Sequence, residues 1–474
     1  MSTSPRPFLL WSARARRTGA VVAGAATAAL AAAALAPAAF ADTADGVSTS
    51  KNVEHIANLA KEGPFADYGA FNSDLAFTGD YAIDGNYNGF MVYDISDPES
   101  PQVVSQVLCP GGQGDVSVSG DLLYYSVDYP RESEECGAPA STPEDADAFE
   151  GVRIFDLSDM AAPQYVGAVR TDCGSHTNTL VPGDADTDYV YVSSYAPSDS
   201  YPNCQTPHDK ISVIEVPKDD PASASVVSEP VLFPDGGNPG GSGELRPTEG
   251  CHDITVLPRK DMAAGACMGD GVMMDISDPL EPVVTDVVRD DNFAFWHSAT
   301  FSNTARSVIF TDELGGGGAP TCNEEIGPER GADAIYSLKG GKGHPRLKFA
   351  SYFKIDRHQT DTENCVAHNG SLIPVPGKDY FVQSWYQGGV SVIDFNNPKN
   401  PREIGYFDRG PLDQDELQLG GSWSAYYYNG YVYSSDIQQG FDVLKLDDRR
   451  LRKAEKVTYD EFNPQSQPKY RPGR

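Results

Sequence analysis

The chain has 474 residues, with 68 acidic against 36 basic side chains and a formal charge of −32. A surface that acidic repels nucleic acid and anionic lipid headgroups and favours cations and basic partners. Length alone would suggest two or three domains, but internal repeats change that count.

The first 41 residues read as an export signal. Arg6, Arg14, Arg16 and Arg17 form a basic zone, Thr18 to Leu35 an Ala-rich apolar run, and Ala39, Phe40 and Ala41 a small-x-small cleavage pattern. The predicted mature chain starts at Asp42 and carries 32 basic against 68 acidic residues, a formal charge of −36. Adjacent Arg16 and Arg17 leave the export route open. No later stretch reaches the roughly 18 uninterrupted apolar residues of a spanning helix, and Pro464 to Arg474 carries no anchoring signal. The expectation is a secreted, extracellular protein with no nucleic-acid partner and no membrane insertion in its mature form.

Beyond the leader, one pattern recurs. Gly89 to Val104 reads GFMVYDISDPESPQVV, Gly151 to Val166 GVRIFDLSDMAAPQYV, Gly271 to Val284 GVMMDISDPLEPVV and Gly389 to Ile404 GVSVIDFNNPKNPREI; looser copies span Lys210 to Val227 and Gly440 to Leu451. Each is a β-rich run, a turn of Asp, Ser, Asn and Pro, and a second β-rich run, which is a hairpin. Two more short strands precede each hairpin, such as Asp253 to Leu257 and Ala263 to Cys267. Four strands per unit without amphipathic helices make a propeller blade.

Seven units begin near Ser73, Gly114, His176, His252, His297, His368 and Trp423. The seventh has only three strands, and Asn52 to Ala60 can supply its outer one. The predicted fold is an all-β, seven-bladed propeller over residues 42–455, its blades spanning about 71–448 and its ring closed by that N-terminal strand, with a C-terminal tail at 456–474. Closure removes the open sheet edges of a linear array. Long insertions fall at Tyr129 to Glu150, Pro234 to Gly250 and Gly315 to Asp333.

GFMVYDISDP, GVMMDISDP and GVSVIDFNNP resemble the LVIVD repeat of secreted and surface bacterial proteins, over about 370 residues. Units three, five and seven depart from it, with Glu215-Val216-Pro217, Tyr336-Ser337-Leu338 and Lys445-Leu446-Asp447 in its place. The resemblance implies a β-propeller and no defined activity, because the scaffold carries unrelated functions.

The blade plan also orders the eight cysteines, which in an exported chain should pair. All fall on or near one face, the top, where loops enter the innermost strands and join second strands to third. Sequential pairing is predicted: Cys109 with Cys136, Cys173 with Cys204, Cys251 with Cys267, and Cys322 with Cys365.

His176, His252, His297 and His368 occupy one equivalent position at the start of four consecutive innermost strands, facing the axial channel or its rim; Trp423, Ser73 and Gly114 stand there in the other units. Imidazoles converging on an axis would suit iron, copper, zinc or nickel. Glu249, Asp312, Glu313 and Glu363 are candidates to complete a metal site, orient a ring or act as a base. Two observations weigh the other way. A repeat-position His also serves packing, by hydrogen-bonding the adjacent blade, and side chains spread over half a seven-membered ring lie far apart for bonds of about 2 Å. Phe293, Phe295, Trp296, Trp385, Tyr386 and Trp423 fit either inter-blade packing or the lining of a mouth.

Two readings follow. The first is an extracellular binding protein that takes a protein, glycan or small-molecule ligand on its top face. The alternative is a metal-dependent oxidase or hydrolase with axial histidine ligands and a transition metal as cofactor.

Overall fold

The computed structural model describes residues 46–194, 196–241, 245–340 and 345–468. The leader lies outside them, and among the described residues no helix is long and apolar enough to cross a membrane.

Seven antiparallel sheets form seven blades, each built from a four-strand meander. The innermost strands are Asn72–Thr78, Val116–Ser119, Thr177–Pro182, Asp253–Leu257, Trp296–Phe301, Gly370–Ile373 and Ser422–Tyr428. The fourth strand of blade seven is Val53–Leu59, antiparallel to Gly440–Leu446, so the two ends of the chain close the ring. Ser48–Thr49 adds a short fifth strand outside blade six.

The repeated motif has a physical reading. Its first Asp caps its own turn: Ser96 N donates to Asp94 (2.8 Å), Ser158 N to Asp156 (2.7 Å), Ser277 N to Asp275 (2.9 Å) and Asn396 N to Asp394 (3.1 Å). Such side-chain turns are what Asp and Asn favour. The apolar residue that follows, Ile95, Leu157, Ile276 or Phe395, is buried. Its N–H bonds the turn between strands one and two, at the carbonyls of Asp80, Asp121, Asp261 and Asp379. The motif therefore locks each blade's lower corners together.

The core lies between blades. Seven clusters of buried apolar side chains each join two neighbouring blades, one per interface around the ring. Every blade also carries a bulge between its third and fourth strands, which sharpens the twist of the outer edge.

The sequence reading made 456–474 a tail, and its described part is instead built into the propeller. Glu461–Phe462 pairs with the lower end of blade one's innermost strand, Phe462 opposite Phe77. The chain then crosses the bottom of the channel. Asn463 pairs its side-chain amide with both N (2.7 Å) and O (2.7 Å) of Val118. Ser466 Oγ donates to Leu180 O, and the backbone of Gln465 and Gln467 brackets Val256. Gln467 pairs its amide with N (2.7 Å) and O (3.0 Å) of Phe301. Inner strands present unpaired backbone edges to the axis, and these carboxamides imitate a partner strand.

The four disulfides join Cys109 to Cys136, Cys173 to Cys204, Cys251 to Cys267 and Cys322 to Cys365, and no cysteine is free among the described residues. That is the sequential pairing expected from the blade plan.

Candidate functional site

The four histidines sit at the top of four neighbouring innermost strands and are all buried. Their rings form a continuous arc, with centroids 4.5 Å apart for His176 and His252, 4.1 Å for His252 and His297, and 4.2 Å for His297 and His368. The expectation that four blades would hold them apart does not survive: the side chains lean inward and touch.

Three of the rings are tied at Nδ1. His176 Nδ1 is 2.7 Å from Asp128 Oδ2, His252 Nδ1 is 3.1 Å from the carbonyl of His297, and His368 Nδ1 is 2.5 Å from the carbonyl of Trp423. The last two are bonds to the adjacent blade, the packing role that sequence offered as the alternative. Packing takes Nδ1 and directs Nε2 toward the arc, where the Nε2 atoms of His176 and His252 hydrogen-bond each other. His176 and His252 face each other at 2.8 Å through Nε2, close to the roughly 3 Å between neighbouring ligand atoms around an ion with bonds of about 2 Å. His297 Nδ1 is buried without a hydrogen-bond partner among the described residues. Burial holds His252 and His297 well below the usual imidazole range and His368 down to about 3, so all three keep a lone pair for ligation.

Glu313 enters the arc from the loop after blade five's second strand. Its Oε2 lies 3.9 Å from His297 Nε2 and its Oε1 3.6 Å from His368 Nε2. Ligand atoms of His252, His297 and Glu313 all lie within 4.8 Å of one another. Burial pushes the Glu313 carboxyl up to about 7, and a 2.7 Å hydrogen bond from Tyr386 Oη partly offsets this. The Gly315 to Gly318 run lets that pair form. Gly317 has φ +67°, and a Cβ there would sit 2.5 Å from the Tyr386 ring.

The other carboxylates are placed differently. Asp312 is buried but accepts the N–H groups of Ala294 (2.8 Å), Phe295 (3.0 Å) and Gly331 (2.7 Å), so it fixes loops beside the site and does not face the imidazoles. Glu363 caps its own loop through Thr360 N (2.6 Å) and Thr360 Oγ1 (2.7 Å). Glu249, in the loop before His252, does not line the axial cavity. Glu249 and Glu363 precede histidines in sequence and Asp312 leads into a top-face loop; loop direction carries all three elsewhere.

Of the aromatic candidates, Phe293, Trp296, Trp385 and Tyr386 are buried in packing, whereas Phe295 and Trp423 are part exposed beside the arc, 5.2 Å from His252 and 5.0 Å from His368 by ring centroid. Trp423 leads to an aromatic rim that sequence reading missed: Tyr87, Tyr129, Phe71 and Tyr68 follow in edge-to-face contacts.

A second layer, also missed, lies beneath the histidines. The residue after the His position is polar in every unit: Asp74, Asp115, Thr177, Asp253, Ser298, Asn369 and Ser424. Five of these, Asp74, Asp115, Thr177, Asp253 and Asn369, line the same axial cavity as the four imidazoles, with no lysine or arginine in its wall. Burial pushes Asp74, Asp115 and Asp253 above the usual carboxyl range. The signal was available one position downstream of the histidines, in the same alignment.

No family model matches the sequence, and no curated protein matches it. Among solved structures, a periplasmic gluconolactonase from Pseudomonas aeruginosa aligns with TM-score 0.50 at 11% identity, over 80% of this chain and 93% of that one. A putative 6-phosphogluconolactonase from Bacteroides uniformis gives 0.48 at 12%, over 77% and 89%, and the hydrazine synthase of Kuenenia stuttgartiensis 0.49 at 13%, over 82% and 99%. At 11% identity the likeness to the periplasmic gluconolactonase concerns the fold alone, and the chain's own seven sheets make it a seven-bladed β-propeller.

Proposed function

We propose that this protein is a secreted, metal-dependent enzyme that holds a transition metal ion at the top of its axial channel and acts on an extracellular small molecule. The observation that carries the reading is the inward-turned imidazole arc, its outer nitrogens tied to Asp128 and two carbonyls. Tied outer nitrogens are the usual support of metal-binding histidines. His252, His297 and Glu313 are the assigned ligands, with His176 and His368 beside them. Iron, copper, zinc or nickel suits that donor set and would supply Lewis acidity for hydrolysis or, for iron and copper, electron transfer for oxidation. Tyr386 orients Glu313, and the rim of Trp423, Tyr87 and Tyr129 receives the substrate. The LVIVD-like repeats and four disulfides support assignment to a secreted repeat family.

Elemental analysis of the mature protein, purified from its own host without tag or chelator, tests the reading. Near-stoichiometric metal that falls at least tenfold in His252→Gln/His297→Gln is the expected result. Folded, disulfide-bonded protein that holds no metal and takes up none at micromolar concentration would overturn it. That outcome would favour the second reading, a binding protein whose ligand docks on the exposed aromatic rim, where Tyr68 is 53% exposed.

A further inference from the structure

Below the imidazoles, several oxygen atoms around the axis lack a partner. Asp115 Oδ1, Asp253 Oδ1 and Asn369 Oδ1 are buried without a hydrogen-bond partner among the described residues, and all three side chains line the axial cavity. They come from blades two, four and six, so they approach the axis from separated directions. A fourth oxygen rises from below. Gln465, in the C-terminal segment, donates its Nε2 to Asp74 Oδ2 at 2.9 Å and leaves its buried Oε1 unpartnered.

Buried carbonyl and carboxyl oxygens are ordinarily paired, because an unpaired one loses its water without gaining a partner. Four around one axis, with three carboxyl groups, two of which (Asp74 and Asp115) hydrogen-bond each other, and neither lysine nor arginine in the cavity wall, favour a bound cation. Imidazole belongs to the borderline transition metals, whereas carboxylate and amide oxygens belong to hard cations. No three carboxylates here come within 4.8 Å of one another, so an ion at this level would need neutral oxygens besides the carboxylates.

We propose that the second layer is a separate site for a hard divalent cation, calcium or magnesium, on the oxygens of Asp115, Asp253, Asn369 and Gln465, with Asp74 adjoining. The site lies under the transition-metal position and is independent of it. The C-terminal segment supplies one donor, so the strap that closes the channel also completes the site.

The test is thermal unfolding and calorimetric titration of the chelator-stripped protein with calcium alone and magnesium alone, both free of transition metals. Wild type and His252→Gln/His297→Gln should each melt several degrees higher with one of the two ions, and the titration identifies which. Asp115→Asn/Asp253→Asn, which keeps side-chain size, should lose at least tenfold in affinity. So acidic a chain also binds cations loosely over its surface, and the double variant subtracts that background. Wild type that gains nothing from millimolar calcium or magnesium, or a double variant that responds as wild type does, would overturn the proposal. Terbium luminescence gives a readout independent of folding stability. Tyr426, which donates to Asp74, should sensitise the lanthanide in wild type and not in the double variant; equal emission would also overturn it. Loss of the response in the histidine variant but not the aspartate variant would assign any effect to the upper layer.

Discussion

At the lower end of the axial channel the C-terminal segment pairs with the inner strands of five blades, Asn463 and Gln467 each satisfying both backbone groups of a residue they face. At the upper end the inner strands of blades two, four, five and six leave buried groups unmatched: His297 Nδ1, Asp115 Oδ1, Asp253 Oδ1 and Asn369 Oδ1. A fold gains by pairing its buried polar atoms, and the lower end shows that this chain can do so on the same scaffold. Unpaired atoms beside the axial cavity, Gln465 Oε1 of the strap among them, therefore mark where a ligand is expected, and the paired amides of Asn463 and Gln467 mark where stability is made. The contrast also orients the molecule, because a channel closed below admits a substrate only from above.

The largest effect should come from breaking the lower end. A chain ending at Tyr459 loses the Phe462 pairing and the hydrogen bonds to Val118, Leu180, Val256 and Phe301. Each backbone group left buried without a partner costs about 1–3 kcal/mol, so the total should exceed about 5 kcal/mol and take most of a typical domain's stability. Asn463→Ala alone should cost about 2 kcal/mol in chemical denaturation. A truncated chain that unfolds at the wild-type denaturant concentration would end the view of this segment as a structural strap. Next in size is the loss of the Cys322–Cys365 bridge, which closes 43 residues. Replacing both by Ser should cost about 4 kcal/mol through loop entropy. It should also weaken transition-metal uptake, because the bridge pins the insertion that follows Glu313. Asn463→Ala, by contrast, should leave uptake per folded molecule unchanged, and a variant that impaired both equally would blur the distinction between the two ends.

Much of this plan is legible in the sequence because it repeats. GFMVYDISDP and its copies mark the same corner of several blades, and an Asp that caps its own turn needs no distant partner to be recognised. Closure by Val53–Leu59 is readable for a related reason: unit seven lacks one strand and the chain offers one spare. The histidines are legible as a position but not as a cluster, since the inward lean that brings rings within 4.5 Å depends on bonds from His252 and His368 to neighbouring blades. Asp312 and Glu363 are misleading for the opposite reason: a place at a top-face loop or just before a histidine says nothing about which backbone N–H groups a loop will present to a carboxylate. The strap was not legible because Asn463, Gln465 and Gln467 follow no repeat, and carboxamides pair with any exposed strand edge.

The smallest predicted effect probes the upper end through acidity. Glu150, in blade two's third strand, is pushed up to about 8 by burial and by the neighbouring Asp128 carboxylate. Its ordinary value is 4.5, so between pH 4.5 and 8 the folded state binds the proton that the unfolded state has released. Its contribution to stability is therefore fully present below about pH 4.5 and is lost as pH rises through about 8. Glu150→Gln removes a group that must otherwise ionise beside Asp128. The variant should match wild type near pH 5 and exceed it near pH 8.5, by of order 1 kcal/mol once solvent screening is allowed for. Melting curves at the two pH values decide it. Because Asp128 holds His176 at 2.7 Å, relief of this repulsion acts on the partner of a proposed metal-site histidine, and the gain should appear at the top of the channel alone. Should the decline with pH persist undiminished in Glu150→Gln, the acidic burden lies instead on Asp74, Asp115 and Asp253, whose carboxyls burial shifts in the same direction.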